Sequence, residues 1–208
     1  MITNKNLFHK VCALFLISHL PIDSQEIHSK TIDKIIGRSM QTFEVLGISA
    51  AVIKDGNIVH NKGYGFLELN SNERVDGYTL SAIASNTKAF TCAAFGILLD
   101  EKKSHWNDRA IEYLPECRLY KSYVTEEFAI RDLLTHRSGL GLGAGDLMIF
   151  PDSNDFTLYV LIHNMRYSQP VSGFRSKYDY DNLLYIFAGE VVARVLRIGW
   201  KSFVEHIM

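Results

Sequence analysis

Cysteine is scarce in this sequence. Its 208 residues include three, Cys12, Cys92 and Cys117. That is too few, and too irregular a spacing, for a disulfide scaffold or a zinc site. Positive charge is not in excess either: 22 Lys and Arg face 23 Asp and Glu, for a net charge of -1. Binding to nucleic acid by counterion release therefore has no basis here, and no nucleic-acid partner is expected. No apolar run reaches the ~18 residues that a membrane-crossing helix needs. There is no internal repeat and no β-α-β alternation, which disfavours a parallel α/β sheet. The G-x-S-x-G of a nucleophile elbow is absent, and Ser138, in His136-Arg137-Ser138-Gly139, lacks that context. None of the eight histidines falls in an H-E-x-x-H or another metal-ligand spacing. The glycines between Gly139 and Gly145 follow a predicted helix and lack the Lys-Ser/Thr of a phosphate loop, so they read as a flexible loop. No metal and no cofactor are expected.

Hydrophobic residues make up 47% and charged residues 22%, a globular composition that excludes a disordered tail or a collagen-like chain. By size this is one domain. At the N-terminus, Lys5, His9 and Lys10 precede a nearly apolar stretch, Val11 to Leu20, and Pro21 then breaks it. A basic start, a short apolar core and a small residue at Ser24 match a secretory signal peptide over residues 1–24, with export to the periplasm or outside. The alternative is an amphipathic or buried N-terminal helix. Removal of this segment leaves Cys92 and Cys117, both expected as free thiols.

Apolar residues at near-helical spacing (Ile27, Ile32, Ile35, Ile36, Met40, Phe43) predict an amphipathic helix over 27–45, ended by Gly47. Ile48 to Ile53 reads as an apolar strand, Asp55-Gly56 as a hairpin turn, and Asn57 to Tyr64 as the return strand. Residues 87–101 form the strongest helix, with Ala89, Phe90, Ala93, Ala94, Ile97 and Leu98 on one broad face. Further helices are expected at 108–113, 129–135, 155–166 and 181–197. Arg131, Asp132 and His136 are expected to make structural hydrogen bonds. The class is α+β. Two strands rarely make a stable sheet, so the sheet looks unfinished.

Ser85-Asn86-Thr87-Lys88 is an S-x-x-K at the start of that strongest helix. Ser85 could simply be its N-cap. A capping box, however, places Glu or Gln three residues on, and Lys88 stands there instead. A cation in the first turn faces the positive end of the helix dipole, which is unfavourable and favours the neutral amine. A neutral amine one turn from a hydroxyl can take its proton. The same dipole favours negative charge on an oxygen near the Ser85 N–H. The second pattern is Tyr180-Asp181-Asn182, a Y-x-N opening the 181–197 helix. It fits a buried tyrosine beside a helix cap. It also fits a phenol that relays a proton, with an amide that holds a substrate carbonyl or the lysine.

Taken together, these residues resemble the serine β-lactamase-related hydrolases, on the class C β-lactamase and penicillin-binding-protein side. The resemblance runs from about residue 27 to 208. It includes the Ile48–Gly65 hairpin, Ala84-Ser-Asn-Thr-Lys-Ala-Phe-Thr91, Leu98-Leu-Asp-Glu-Lys102, Asp132-Leu-Leu-Thr-His-Arg-Ser-Gly-Leu140 and Tyr180-Asp-Asn-Leu-Leu-Tyr-Ile-Phe-Ala-Gly189. It implies a β-lactamase/transpeptidase-like fold and an acyl-enzyme mechanism on an amide or ester (a β-lactam, a D-amino-acid peptide or an ester). By resemblance Ser85 is the nucleophile, Lys88 its base, Tyr180 the proton relay and Asn182 a substrate-binding companion. The Leu133–Leu140 match is read as architectural. Relatives carry a third motif, Lys-Thr-Gly or His-x-Gly, on a later strand, and no Lys-Thr-Gly follows Tyr180 here. Residues 25–208 are therefore expected to be an incomplete, C-terminally truncated hydrolase domain. Its unpaired hairpin edge is then open to self-association. The alternative is a catalytically dead fragment with a binding role or none. Small molecules or peptides are the expected substrates.

Overall fold

The computed structural model describes residues 28–150 and 155–207. The expected signal peptide lies outside the described residues. The chain divides into two compact units, one up to Ala82 and one from Ile83.

In the first unit, α1 (Ser29–Phe43) precedes an antiparallel hairpin of β1 (Gly47–Lys54) and β2 (Asn57–Gly65). The helix stops at Phe43, four residues before Gly47. Glu44 takes the left-handed conformation (φ 52°), and Val45 returns its N–H to the Met40 carbonyl at 3.0 Å. Asp55 and Gly56 both have positive φ, 50° and 75°, as a tight two-residue hairpin turn requires. A bulge between Val52 and Ile53 shifts the pairing, so that Val52 faces His60 and Ile53 faces Ile58. Among the described residues the sheet holds two strands, extended by an isolated bridge between Phe66 and Arg74. A polar chain ties α1 to β2. Tyr64 donates to Asp33 at 2.6 Å and pairs with His60 Nε2 at 2.8 Å, while Ser29 Oγ pairs with His60 Nδ1 at 2.9 Å. Because the Tyr64 proton goes to Asp33, Nε2 carries the imidazole hydrogen and Ser29 donates to Nδ1. Both His60 ring nitrogens and the Tyr64 hydroxyl are thereby paired.

The second unit is helical: α2 (Thr87–Asp100), α3 (Ala110–Tyr113), α4 (Ser122–Glu127), α5 (Ile130–Leu134), α6 (Leu158–Asn164), α7 (Leu183–Leu196) and α8 (Trp200–Ile207). Its core is Phe95 and Leu98 of α2, Ile130 and Leu133 of α5, Ile162 of α6, Leu183, Leu184, Phe187, Val191 and Val192 of α7, and Phe203 of α8. Each large apolar side chain of this kind contributes roughly 1.5–3 kcal/mol on full burial. The buried face of α2 is Thr91, Ala94, Phe95 and Leu98, so Ala89, Phe90 and Ala93 lie off it. The helix is apolar nearly all round, and its periodicity does not choose a face. The helix expected at 155–166 begins at Leu158 because Thr157 caps it, accepting the Val160 N–H at 3.3 Å. It ends in a 3-10 turn, Met165–Tyr167.

The glycine stretch is not a free loop. Ala144, Asp146 and Met148 donate their N–H groups to Gly141, Gly143 and Gly145 at 3.0, 3.0 and 2.9 Å, and Asp146–Met148 is a 3-10 turn. Gly145 has φ 76°, and a Cβ there would lie 2.2 Å from Leu183 Cδ1. The glycines thus let the segment press onto the start of α7.

Candidate active site

Ser85 sits in a 3-10 turn, Ala84–Asn86, that runs directly into α2. It does not cap the helix: no side-chain cap hydrogen bond closes this end of α2. Its hydroxyl is instead 2.5 Å from Tyr180 Oη and accepts from Lys88 Nζ at 3.1 Å. Spacing explains the second contact, since residues three apart on a helical start share one face. Lys88 Nζ also donates to Tyr180 Oη at 2.7 Å and to Asn182 Oδ1 at 2.8 Å. These three acceptors match the three hydrogens of an ammonium. All four residues singled out in the sequence, Ser85, Lys88, Tyr180 and Asn182, therefore meet in one hydrogen-bonded cluster.

The Lys88 contact, and then the Ser85 contact, hold the Tyr180 phenol below its ordinary pKa of 10.0. A cation beside the oxygen favours phenolate. The Lys88 ammonium also lies 4.7 Å from the Tyr180 ring centre and 5.4 Å from that of Tyr185, both favourable cation–π distances.

Two parts of the support were not legible in the sequence. Asp146 accepts from Asn182 Nδ2 through both carboxylate oxygens at 3.2 Å. With Oδ1 on Lys88 and Nδ2 on Asp146, the Asn182 amide has one orientation. Asp146 carried no sequence signal, because 36 residues separate it from Asn182. The second part is His136, whose ring stacks on Tyr180 with centroids 4.6 Å apart. Its Nδ1 accepts the Asp181 N–H at 3.1 Å, and its carbonyl accepts the Asp179 N–H at 2.7 Å. Burial, then the Lys88 charge, lowers the imidazole pKa from 6.5, which keeps Nδ1 free to accept at neutral pH. The expected hydrogen bonds of Asp132 and His136 are thus present, and those of His136 hold the tyrosine. Buried Asp132 takes Arg175 Nε at 3.0 Å and Nη2 at 2.6 Å, and accepts the Ala129 N–H at 2.9 Å. Arg131 contributes its backbone N–H to the Trp106 carbonyl at 3.1 Å. Ser138 is a turn residue, its Oγ accepting the Leu140 N–H at 3.1 Å. Cys92 and Cys117 are both free thiols.

Asp181 gives a testable consequence of burial. It is fully buried, its Oδ1 accepts the Leu184 N–H at 3.1 Å, and its Oδ2 has no partner among the described residues. Desolvation raises its pKa from 3.8 to about 6. An acid with a raised folded-state pKa destabilises the fold where it must be charged. The penalty is absent below about pH 4 and complete above about pH 6. Asp181→Asn keeps the acceptor for Leu184 and removes the charge. It is expected to raise stability by about 1–3 kcal/mol at pH 8, with the gain fading towards pH 4. Urea unfolding of both proteins at pH 4, 6 and 8 checks this, and an equal difference at all three values contradicts it.

Comparison with known proteins places the chain. The Beta-lactamase family model matches residues 32–208. The chain belongs to the beta-lactamase family. Among curated proteins, Protein flp of Staphylococcus aureus (strain N315) is 26% identical over 193 residues, covering 91% of this chain and 37% of its own length. Among solved structures, the octameric penicillin-binding protein homologue from Pyrococcus abyssi superposes with a TM-score of 0.73 at 24% identity, covering 86% of this chain and 42% of that one. A class C beta-lactamase in complex with cefoxitin gives 0.70 at 22%, covering 86% and 48%. This beta-lactamase-family chain thus has the β-lactamase/transpeptidase-like fold. It spans little over a third of the curated relative and under half of either solved chain. No helix among the described residues is long and apolar enough to cross a membrane.

Proposed function

We propose that this chain carries the nucleophile half of a serine hydrolase site, cleaving an amide or ester (a β-lactam, a D-amino-acid peptide or an ester) through a Ser85 acyl-enzyme. What carries the reading is one contact, the 2.5 Å between Ser85 Oγ and Tyr180 Oη, made beside the Lys88 ammonium. Family membership supports hydrolase chemistry, and the class C relative bound to cefoxitin supports the β-lactam among the substrate classes.

In this reading Tyr180, held towards phenolate by Lys88, takes the Ser85 proton as Oγ attacks the carbonyl carbon. The new C–O bond pushes the carbonyl π pair onto oxygen. The Ser85 N–H at the helix start favours that negative charge. Collapse expels the leaving nitrogen or oxygen, which recovers the proton from Tyr180. Water then repeats the sequence on the ester and frees Ser85. The sequence pointed to Lys88 as base. The shorter contact and the lowered phenol pKa favour Tyr180 in that role, with Lys88 as the cation that makes it possible. Asn182, held between Lys88 and Asp146, is placed to bind the substrate carbonyl or to keep Lys88 in position.

Intact-mass analysis after treatment with an activated aryl ester or a fluorophosphonate tests the reading. A single adduct that persists in Ser85→Ala overturns it. The base has its own test. Tyr180→Phe is expected to slow acylation by on the order of 10²–10⁴. In the parent the rate should climb with pH along a limb below the ordinary phenol range, because the phenol is inactive as a base until it ionises. Tyr180→Phe should lose that limb. An unchanged pH profile in the phenylalanine variant would assign the base elsewhere.

Export belongs to the same proposal and rests on the pattern of residues 1–24. The mature protein is expected to begin near Gln25 in the periplasm or medium of a bacterial host, as N-terminal sequencing would show. A cytoplasmic protein retaining residues 1–24 refutes this. The hairpin edge is the proposed self-association surface, and size-exclusion chromatography reads it.

A further inference from the structure

A cavity of about 620 Å³ opens beside Ser85, walled by Ile149, Phe150, Leu158, Ile186, Ala193 and Trp200. Its polar lining includes Ser85, Lys88 and Asn182, with Thr87, Thr91 and Tyr185. Glu190, further along the wall, is engaged by Arg194 Nε at 2.8 Å. The volume falls in the range of small-molecule sites. The far wall is kept open by small residues on α7 and at the start of α8. Gly189 and Ala193 lie one turn apart, and a Cβ on Gly189 would already touch the Trp200 indole at 3.4 Å. Tyr180 is not part of this wall. In the proposed reaction the leaving atom must face Tyr180 to recover the proton. The other side of the scissile carbonyl, the acyl side, then faces the cavity.

We infer that this cavity is an acyl pocket selecting esters or amides with an apolar acyl chain of several carbons. The inference rests on the Ser85 reading for its chemistry, and on the lining and volume for its selectivity. An aliphatic chain running from Ser85 towards Trp200 leaves water for an apolar wall at every methylene, and no charged group along that wall is left without a partner. Ala193, small and set in the wall, is the position that sets how long a chain fits.

The test uses the full chain and p-nitrophenyl esters from acetate to decanoate, with acylation followed by mass. The parent is expected to gain roughly fourfold in acylation efficiency per added methylene over the first several carbons. Ala193→Phe should remove the gain for the longer esters and leave acetate within about twofold. A flat series in the parent overturns the inference and requires no variant. A second measurement reads the pocket without chemistry. The sequence has two tryptophans, so Trp106→Phe leaves Trp200 as the sole indole. In that background decanamide should quench its fluorescence saturably, acetamide should not, and the added Ser85→Ala should leave the quenching intact. If labelling survives in Ser85→Ala while the length series and quenching persist, the nucleophile assignment fails and the pocket stands. If labelling requires Ser85 but neither length dependence nor quenching occurs, the pocket fails and the nucleophile stands.

Discussion

Ser85→Ala is expected to abolish covalent labelling of the chain by activated esters, fluorophosphonates and β-lactams. The hydroxyl lies 2.5 Å from Tyr180 Oη, its proton acceptor, and 3.1 Å from the Lys88 cation, at the N-terminal end of α2. Alanine removes it with little change of shape. Ser85 is exposed and its Oγ does not cap α2, so the fold should keep its stability within about 0.5 kcal/mol, as for an ordinary surface change. Loss of labelling at unchanged melting temperature therefore reports chemistry. Intact mass before and after treatment decides the matter, and an adduct of equal yield in the variant would remove Ser85 from the mechanism.

Lys88→Met is expected to reduce acylation about as much as Ser85→Ala, by on the order of 10⁴ or more, because groups that act as a unit fail together. The ammonium holds three acceptors at once: Ser85 Oγ, Tyr180 Oη and Asn182 Oδ1. Its removal raises the Tyr180 phenol back towards its ordinary range and releases Asn182 to the Asp146 side. Methionine fills similar volume, so the apolar stem keeps its packing. Stopped-flow acylation against pH is the measurement. The pH limb assigned to Tyr180 should move to higher pH in Lys88→Met. A variant that acylates at the parent rate, or that slows without moving the limb, would leave Lys88 a structural role and no more.

Local relations were readable from the chain itself. Three-residue spacing puts Ser85 and Lys88 on one helical face whatever the remainder does. Asp55-Gly56 specifies its turn because both positions need positive φ, which few residues adopt without strain. The order of elements carried the α+β class, and the S-x-x-K and Y-x-N patterns marked Ser85, Lys88, Tyr180 and Asn182 as candidates. Where local signals were ambiguous, the reading slipped. α2 is apolar nearly all round, so the buried face at Thr91, Ala94, Phe95 and Leu98 came from its neighbours in the core. The glycines from 139 to 145 suggested a free loop, yet the approach of α7 to Gly145 orders them.

The tertiary structure decided the geometry of the cluster. Lys88 and Tyr180 are 92 residues apart in sequence. No propensity or period could show that the phenol lies nearer the serine than the amine does. The roles of His136 and Asp146, each meeting the Y-x-N segment from a distant turn, came from the same source. Sequence determines which groups are present and how near neighbours face one another. Distance, burial and the field of a neighbouring charge determine which group holds the proton, and those exist only once the chain has brought residues 85, 88, 136, 146, 180 and 182 together.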